Sequence, residues 1–388
     1  MRLCAGLSAF VCHADAQAEP SQVIWRVFVV RGERKGKSIL RICIVLSIGG
    51  CLLIVQSGCS QPSGYAASAG IENLITSRSD QWPYSVEVVE RADGTKDYFW
   101  QIDSRIEQAG RALLKYHPTY STHHFAVVEG SIGPNGRKYP VVVDTGASQP
   151  VLVRKVHTSE NNLRVYPLNS AGPGGGKIGL CYLPEMDLGP VRLIDWGCLR
   201  LTPRSTGLGV RDDFAVVGLP VLREFKYIKF DSVAGEVEFS KDSVFEPNDA
   251  DSWTQYPIWV EEDLRGNVFL LTRLPVAGQQ MELQLDTGSG RGLAISEELW
   301  EQLPAEAKRV HLKRTKELYP YIGNLSCRSG VLAEIPLGEK TIYNAPVSVF
   351  PDNSPLVEDY GGLLGMQIFK QTVMVLDFEN SLMWVKRS

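Results

Sequence analysis

The triplet Asp-Thr-Gly occurs twice in this chain, each time at the end of an apolar run. The first copy occupies residues 144–146 and the second occupies residues 286–288. One copy alone would indicate only a turn, because Asp, Thr and Gly are common turn residues. Two copies in matching surroundings predict a duplicated fold that brings two carboxylates together. A carboxylate pair that shares one proton is suited to activating water.

The residues around the two triplets repeat one another over the length of a domain. Strand-like apolar runs lie before and after the triplets, at 125–128, 268–271, 151–153 and 293–295. Further on, an apolar-apolar-Gly element ends at Gly218 in the first half and at Gly365 in the second. An Asp-containing segment and a last apolar run then close each half. This self-similarity predicts two copies of one β-rich unit.

On these motifs the chain resembles the aspartic protease superfamily. Its two-lobed arrangement resembles that of pepsin-like enzymes, whereas each short half with its apolar-apolar-Gly element is more similar to the retropepsins. The resemblance covers about residues 122–241 and 256–388. It implies an all-β fold of two duplicated retropepsin-like β-barrel lobes, with an active-site cleft between them.

The resemblance also implies a role for each residue of the triplets. Asp144 and Asp286 would be the catalytic pair of an aspartic-type endopeptidase, one as general base on a water molecule and the other as hydrogen-bond donor to the scissile carbonyl. Four residues would support the two loops, namely Thr145, Gly146, Thr287 and Gly288. The threonines would interlock the loops, and the glycines would leave room for the partner loop. The implied substrate is a polypeptide, and no metal or organic cofactor is needed.

The sequence after the second triplet departs from the pattern after the first. Ala-Ser at 147–148 matches the retropepsin type, whereas Ser-Gly follows at 289–290, and then Arg291. An inward Arg291 side chain would lower the pKa of a nearby carboxylate. We expect it to point outward, as a solvated surface charge.

A glycine-rich segment at 172–176 has two interpretations. Retroviral proteases carry a glycine-rich flap tip at a similar distance after the catalytic aspartate, so Gly174, Gly175 and Gly176 are candidate flap residues. An ordinary flexible loop is the alternative, and the sequence does not decide between them. A phosphate-binding loop is disfavoured, because neither Ser nor Thr follows Lys177.

Charge and residue spacing limit the kinds of partner and of catalytic site that the chain is expected to have. The chain has 388 residues and a net charge of −4, and it carries no basic stripe, so nucleic acid is not expected to bind. Its six histidines lack metal-ligand spacing, and no Gly-x-Ser-x-Gly elbow of a serine hydrolase is present. A monomer is expected, since one chain supplies both aspartates.

The N-terminal part resembles an export sequence. A basic region at 31–41 precedes an apolar run at 42–55, which is typical of a secretory signal and short for a membrane-spanning helix. Cys59 follows small residues, as at a bacterial lipoprotein processing site, although Gln56 departs from that pattern. Cys51 fits the pattern better but lies inside the apolar run. We expect an exported protein, tethered to the membrane through the signal or a lipidated Cys59.

The sequence divides into five expected segments. They are an N-terminal extension with the signal (1–59), a linker with an amphipathic helix (60–121), a first lobe (122–241), a linker (242–255) and a second lobe (256–388). The amphipathic helix is predicted at 98–116, packed on the first lobe or acting as a propeptide over the cleft. A second, short helix is predicted at 296–303, because Ser296 provides a cap and Pro304 a stop.

Three cysteines lie in the predicted lobes. Cys181 and Cys198 would form a disulfide in an exported protein, or remain buried free thiols, and the sequence leaves both open. Neither they nor Cys327 have the spacing of a zinc site.

A non-catalytic alternative remains beside the enzyme. The same bilobal fold would serve as a peptide-binding module or as a structural lipoprotein. Retention of both aspartates favours the enzyme, since loss of one would abolish catalysis.

Overall fold

The computed structural model describes most of the chain from Val23 onward. The described residues are 23–34, 37–48, 51–57, 84–90, 96–102, 104–108, 110–118, 126–133, 135–163, 165–171, 177–202, 213–262, 268–309, 311–319, 323–338, 340–354, 356–357 and 360–386. They are almost entirely strands, which confirms the predicted all-β class.

The first five strands form a sheet of their own, for which the backbone path is described. They are β1 (Val23–Arg34), β2 (Lys37–Ile48), β3 (Cys51–Ser57), β4 (Tyr84–Glu90) and β5 (Lys96–Ile102), in the order β3-β2-β1-β5-β4. The apolar run predicted as a signal falls in β2 and β3. Within the described part of the chain, no helix has both the length and the apolar character to span a membrane. Export and lipidation stay predictions.

The first lobe is built on an eight-stranded sheet. Its strands are β6 (Arg105–Gln108), β8 (Val127–Ile132), β9 (Lys138–Asp144), β10 (Val151–Val153), β11 (Val165–Ala171), β12 (Lys177–Leu188), β13 (Val191–Thr202) and β14 (Ala215–Gly218). The order is β11-β12-β8-β9-β14-β10-β13-β6, and β12 also pairs with β13. Two short helices belong to this lobe, α1 (Lys155–Glu160) and α2 (Leu219–Leu222).

The second lobe repeats this arrangement. Its strands are β18 (Val268–Val276), β19 (Gln279–Asp286), β20 (Leu293–Ser296), β21 (Lys313–Tyr319), β22 (Gly323–Leu337), β23 (Lys340–Phe350) and β24 (Gly362–Gly365), in the order β21-β22-β23-β20-β24-β19-β18. Its helical segments are α3 (Glu297–Gln302) and the 3₁₀ turns Ala305–Ala307 and Met366–Phe369. The short helix predicted here is confirmed, since the Ser296 Oγ accepts a hydrogen bond from the Leu299 N–H at 3.1 Å.

Six strands, three from each half, join the lobes in one sheet. They are β7 (Arg111–Lys115), β15 (Tyr227–Asp231), β16 (Glu236–Ser240), β17 (Trp253–Glu262), β25 (Val373–Asp377) and β26 (Leu382–Lys386), in the order β17-β26-β25-β15-β16-β7. The closing hairpins of the two halves lie side by side, because β15 pairs antiparallel with β25. The 3₁₀ turn Ala250–Ser252 lies directly before β17 in the chain.

The helix predicted at 98–116 is wrong. That segment forms β5, β6 and β7, and in β7 the side chains of Ala112 and Leu114 are buried while their neighbours are exposed, which is a period of two. The partner strands are distant in sequence, since β6 pairs with β13 and β7 with β16. Because β7 occupies in the first half the place that β17 has in the second, the duplicated unit begins at Arg111, before the predicted boundary.

Each triplet follows a strand that pairs with a fully buried strand. Residues Tyr139 to Val143 of β9 are all buried, as is every residue of β14 and β24. β9 pairs in parallel with β14, and β19 pairs in parallel with β24. β9 is a nearly continuous apolar run, whereas β19 alternates between buried apolar residues and half-buried polar ones such as Gln284. Each triplet is therefore held next to a buried, glycine-ended strand, β14 in the first lobe and β24 in the second.

His157 on α1 is buried in the first lobe. The Nδ1 of His157 accepts a hydrogen bond from the Arg154 N–H at 2.9 Å, and its Nε2 lies 2.8 Å from the Asp213 carbonyl. Tyr139 packs edge-on against the ring, which is 0% exposed. Only the neutral ring with its proton on Nε2 satisfies both bonds. Burial lowers the pKa of His157 to about 4.

We expect the free energy of unfolding to fall as the pH drops from about 6.5 to about 4. The unfolded state binds a proton at His157 near its ordinary pKa, whereas the folded state resists it until about pH 4, so stability is lost over this window. The loss should be about 3 kcal/mol. Denaturant unfolding at pH 7, 6, 5 and 4 measures it. His157→Gln should lose less over the same range, while His311→Gln, at an exposed histidine, should follow the wild type. Equal losses in His157→Gln and wild type would contradict the assignment.

Candidate functional site

Each aspartate stands at the carboxyl end of a strand that pairs with a buried one. Asp144 ends β9 and pairs with Gly218 of β14, and Asp286 ends β19 and pairs with Gly365 of β24. The structure therefore brings together the two residues that the sequence singled out.

The two threonines interlock the loops. The Thr145 hydroxyl donates to the Leu285 carbonyl at 2.7 Å and accepts from the Thr287 N–H at 3.0 Å. Thr287 does the same in reverse, donating to the Val143 carbonyl at 2.7 Å and accepting from the Thr145 N–H at 3.0 Å. Both threonines are 0% exposed. Four buried hydrogen bonds thus fix one loop against the other and leave both carboxylates little freedom.

The glycines of the triplets hold the carboxylates at close range. The Gly146 N–H donates to Asp144 Oδ1 at 2.8 Å, and the Gly288 N–H donates to Asp286 Oδ1 at 2.8 Å. Each glycine also lies against the opposite aspartate, because a Cβ added at Gly146 would overlap the Asp286 carboxylate and one at Gly288 would overlap that of Asp144. Only glycine fits at these positions.

Burial raises the pKa of both carboxyl groups. The pKa of Asp286 lies well above its ordinary value, first through burial and then through the charge of Asp144 and the hydrogen bond to it. Burial also raises the pKa of Asp144, against the hydrogen bonds that it receives from Asp286 and from the loop N–H groups. The pair therefore retains one shared proton into a higher pH range than isolated carboxyls would.

Two glycines below the loops were noted in the sequence only as part of the repeat. The Gly218 N–H donates to the Pro150 carbonyl and the Gly365 N–H to the Gly292 carbonyl, both at 2.9 Å. A Cβ at either glycine would collide with carbonyl oxygens of the loop above it. The apolar-apolar-Gly elements therefore lie directly under the two Asp-Thr-Gly loops and support them. In the sequence, the signal that could have identified these two glycines was their matched position after each triplet.

Ser148 was not predicted as a site residue. Its Oγ donates to the Val268 carbonyl at 3.2 Å, which ties the first loop to the opposite lobe. The matching position in the second loop is Gly290, as judged from the hydrogen bonds that Leu219 and Met366 donate to the preceding residues Ala147 and Ser289. The junction is therefore asymmetric at this point.

Arg291 points away from the aspartate pair, as expected. Its Nε lies 3.8 Å from Glu317 Oε2, and its side chain is 51% exposed. Glu317 is itself buried and accepts a hydrogen bond from the Ser348 hydroxyl at 2.5 Å.

The remaining predicted residues are the candidate flap glycines and the three cysteines of the lobes. The candidate flap residues Gly174, Gly175 and Gly176 lie outside the described residues, although the strands on either side of them, β11 and β12, pair as an antiparallel hairpin. Cys181 and Cys198 are free thiols, as is Cys327. Among the described residues, no group of His, Cys, Asp and Glu side chains is arranged to hold a metal ion.

Alanine at Gly288 should disrupt the site. Its methyl group would press on the Asp144 carboxylate, so the loops must separate, and we expect a loss of about 2 kcal/mol or more in unfolding free energy. Thermal unfolding measures the effect. The matched control is Ala147→Ser, because the second loop already has Ser289 at that position, and this variant should stay within about 0.5 kcal/mol. A Gly288→Ala protein as stable as wild type would contradict the close approach.

Comparisons with known proteins give no family. No family model matches the sequence, and no curated protein matches it either. Among solved structures, the basic 7S globulin from soybean aligns with TM-score 0.39 and 12% identity, over 72% of this chain and 95% of that chain. Conglutin gamma, a basic 7S globulin from lupine seeds, aligns with TM-score 0.41 and 10% identity, over 72% of this chain and 96% of that chain.

These comparisons correct one prediction and leave another standing. The assignment to the aspartic protease superfamily is wrong as a statement of family, because no such family matches and the similar structures are named as globulins. The predicted fold is confirmed, since the chain forms two duplicated β lobes with the paired aspartates at their junction. What is shown is an all-β fold of two duplicated lobes.

Proposed function

We propose that the Asp144–Asp286 pair hydrolyses peptide bonds, in the manner of an aspartic-type endopeptidase. One observation carries the proposal. Two carboxyl groups from duplicated loops are hydrogen-bonded to each other, both with raised pKa, within an interlocked frame. Such a frame supports proton transfer to and from a water molecule, because its geometry is set before substrate arrives.

The chemistry follows from the one proton that the two carboxyl groups share. With Asp144 ionised and Asp286 protonated, Asp144 takes a proton from a water molecule as the water oxygen attacks the scissile carbonyl carbon. Asp286 gives its proton to the carbonyl oxygen, so the intermediate is a neutral diol. The amide nitrogen then takes a proton from Asp144 and the C–N bond breaks, while a diol hydroxyl returns a proton to Asp286. The pair ends with one proton, as it began.

The raised pKa values set the expected pH dependence. Hydrolysis requires one proton on the pair, so the rate should fall at low pH when both carboxyl groups are protonated and at high pH when neither is. Since burial raises both pKa values, both limbs should lie above the ordinary carboxyl range, which favours a mildly acidic optimum.

The test is cleavage of a denatured protein by the full chain between pH 3 and pH 8, with and without pepstatin. Cleavage that follows a bell-shaped pH profile and is inhibited would support the proposal. Cleavage that pepstatin does not inhibit, or that is unchanged by loss of either aspartate, would exclude it.

A second candidate is a non-catalytic peptide-binding or structural protein of the same fold. The specific observation in its favour is that the aspartates also close their own loops, by accepting the Gly146 and Gly288 N–H groups, so they have a structural use without turnover. It also agrees with the comparisons, in which the similar structures are named as globulins. A folded protein with no cleavage at any pH, whose binding of an extended peptide is unchanged in Asp286→Asn, would support this candidate.

We place this function outside the cytoplasm, in a monomer attached to the membrane. The basic region and apolar run at 31–55 and the small residues before Cys59 support export and a lipid tether. Fractionation of expressing cells tests the placement, with Cys59→Ala as the variant that should release the protein from membranes. Wild-type protein recovered only in the cytoplasm would contradict it.

A further inference from the structure

Two buried cysteines face each other across the hairpin of the first lobe. Cys181 on β12 is the direct antiparallel partner of Cys198 on β13. Their side chains are 3% and 1% exposed, and the two Sγ atoms are 2.7 Å apart. The Cys181 thiol also lies 3.4 Å from the Cys198 carbonyl. The two sulfur atoms are therefore in contact inside the core, without intervening side chains.

The register of the strands suits a covalent link. Directly opposed residues of an antiparallel pair have Cα atoms about 4.5 or 5.5 Å apart. Both values fall within the roughly 4.4–6.8 Å that a disulfide spans. No movement of either strand is needed, since the neighbouring pairs, such as Leu183 with Trp196, continue the ladder in the same register.

From this geometry we propose that Cys181 and Cys198 form a disulfide when the chain folds under oxidising conditions. The two thiols lose two protons and two electrons to a disulfide oxidant such as oxidised glutathione. One S–S bond of the oxidant breaks, one forms between the Sγ atoms, and two molecules of glutathione are released. The link is independent of the hydrolysis proposed for the aspartate pair.

The bond forms during folding and not afterwards. Thiolate is the attacking species in exchange, and burial raises the pKa of the Cys198 thiol well above its ordinary value, so the folded dithiol reacts slowly. While the hairpin is still open, both thiols are accessible to the oxidant.

The link fixes the strand that follows the glycine-rich segment. β12 pairs with β11, β13 and β8, so it is the strand through which the candidate flap hairpin joins the lobe. A covalent tie between β12 and β13 closes a loop over residues 181–198 and holds β12 where it pairs with β11.

Peptide mapping of the full chain tests the proposal. The protein is refolded with either oxidised glutathione or a reductant, alkylated in denaturant and digested with trypsin. Cleavage after Lys177, Arg192 and Arg200 separates Cys181, in 178–192, from Cys198, in 193–200. We expect these peptides linked in the oxidised sample and separately alkylated in the reduced one. A linked pair is heavier by about one water than the uncleaved peptide 178–200 with the same bond, which distinguishes the two.

Two variants complete the design. Cys327→Ser should keep the linked pair, because Cys327 is buried on β22 of the other lobe. Cys198→Ser should lose the linked pair. It should also lack the rise of several degrees in the unfolding midpoint that we expect when the wild type is oxidised. If Cys198→Ser does not fold, the comparison of oxidised with reduced wild type still decides. Alkylated Cys181 and Cys198 in a folded, oxidised sample, or a link from either to another cysteine, would overturn the proposal.

Discussion

Replacing Asp286 by asparagine should reduce peptide hydrolysis by roughly 1000-fold or more, while the protein remains folded. Asparagine has the same shape, and its carbonyl oxygen still accepts the Gly288 N–H, but it cannot supply the shared proton. The measurement is the initial rate of cleavage at the pH optimum.

The same variant should be at least as stable as wild type at pH 7. The folded-state pKa of Asp286 is raised, so the unfolded chain ionises first as the pH rises above the ordinary carboxyl pKa. Ionisation therefore costs stability in the wild type, and the cost is absent in Asp286→Asn and absent in both proteins near pH 3. A stability gain at pH 7 together with a loss of rate would separate a catalytic carboxylate from a structural one.

Asp231→Asn is the matched control. Asp231 ends β15, and its Oδ1 accepts the Val233 and Ala234 N–H groups, so asparagine preserves its turn. Its rate should equal that of wild type. Full activity in Asp286→Asn, or equal losses in both variants, would contradict the assigned mechanism.

Replacing Thr145 by valine should lower the free energy of unfolding by about 3 kcal/mol, because it leaves buried polar groups unpaired. The lost hydroxyl donates to the Leu285 carbonyl and accepts from the Thr287 N–H, both in the buried junction. Valine fills the same volume, so the effect reports the hydrogen bonds and not a cavity. Denaturant unfolding at pH 6 is the measurement.

Thr145→Ser keeps the hydroxyl and should recover most of this loss. Activity gives a second reading, since loosened loops should lower the rate of Thr145→Val more than that of Thr145→Ser. Thr145→Val and Thr145→Ser of equal stability would show that packing, and not the interlock, holds the loops.

Much of the fold was predictable because its signals are local. Strands β9, β14 and β24 are buried on both faces, so they appear in the sequence as short apolar runs that end at the first triplet or at glycine. Helix α3 was predictable from its serine cap. The segment at 98–116 was mistaken for a helix because its strand partners are far away in the chain, and no local pattern reveals them.

In the candidate site, too, the residues with a local sequence signal were predictable, and the contacts between distant segments were not. The aspartates, threonines and glycines of the triplets were predicted because the repeat exposes them. The bond from Ser148 to the Val268 carbonyl and the ion pair between Arg291 and Glu317 join segments that share no motif, so sequence alone could not place them. The opposition of Cys181 and Cys198 likewise depends on the register of a hairpin.

The six-stranded sheet has a consequence for the exposed connection between the halves. Residues 242–252 carry the chain from β16 to β17, and most of them are exposed. A cut within this segment would leave the halves assembled, because β15 remains paired with β25 and the threonines remain interlocked. The nicked molecule would run as two fragments in denaturant and as one particle without it. The covalent connection therefore joins the halves during synthesis, while the shared sheet keeps them together after folding.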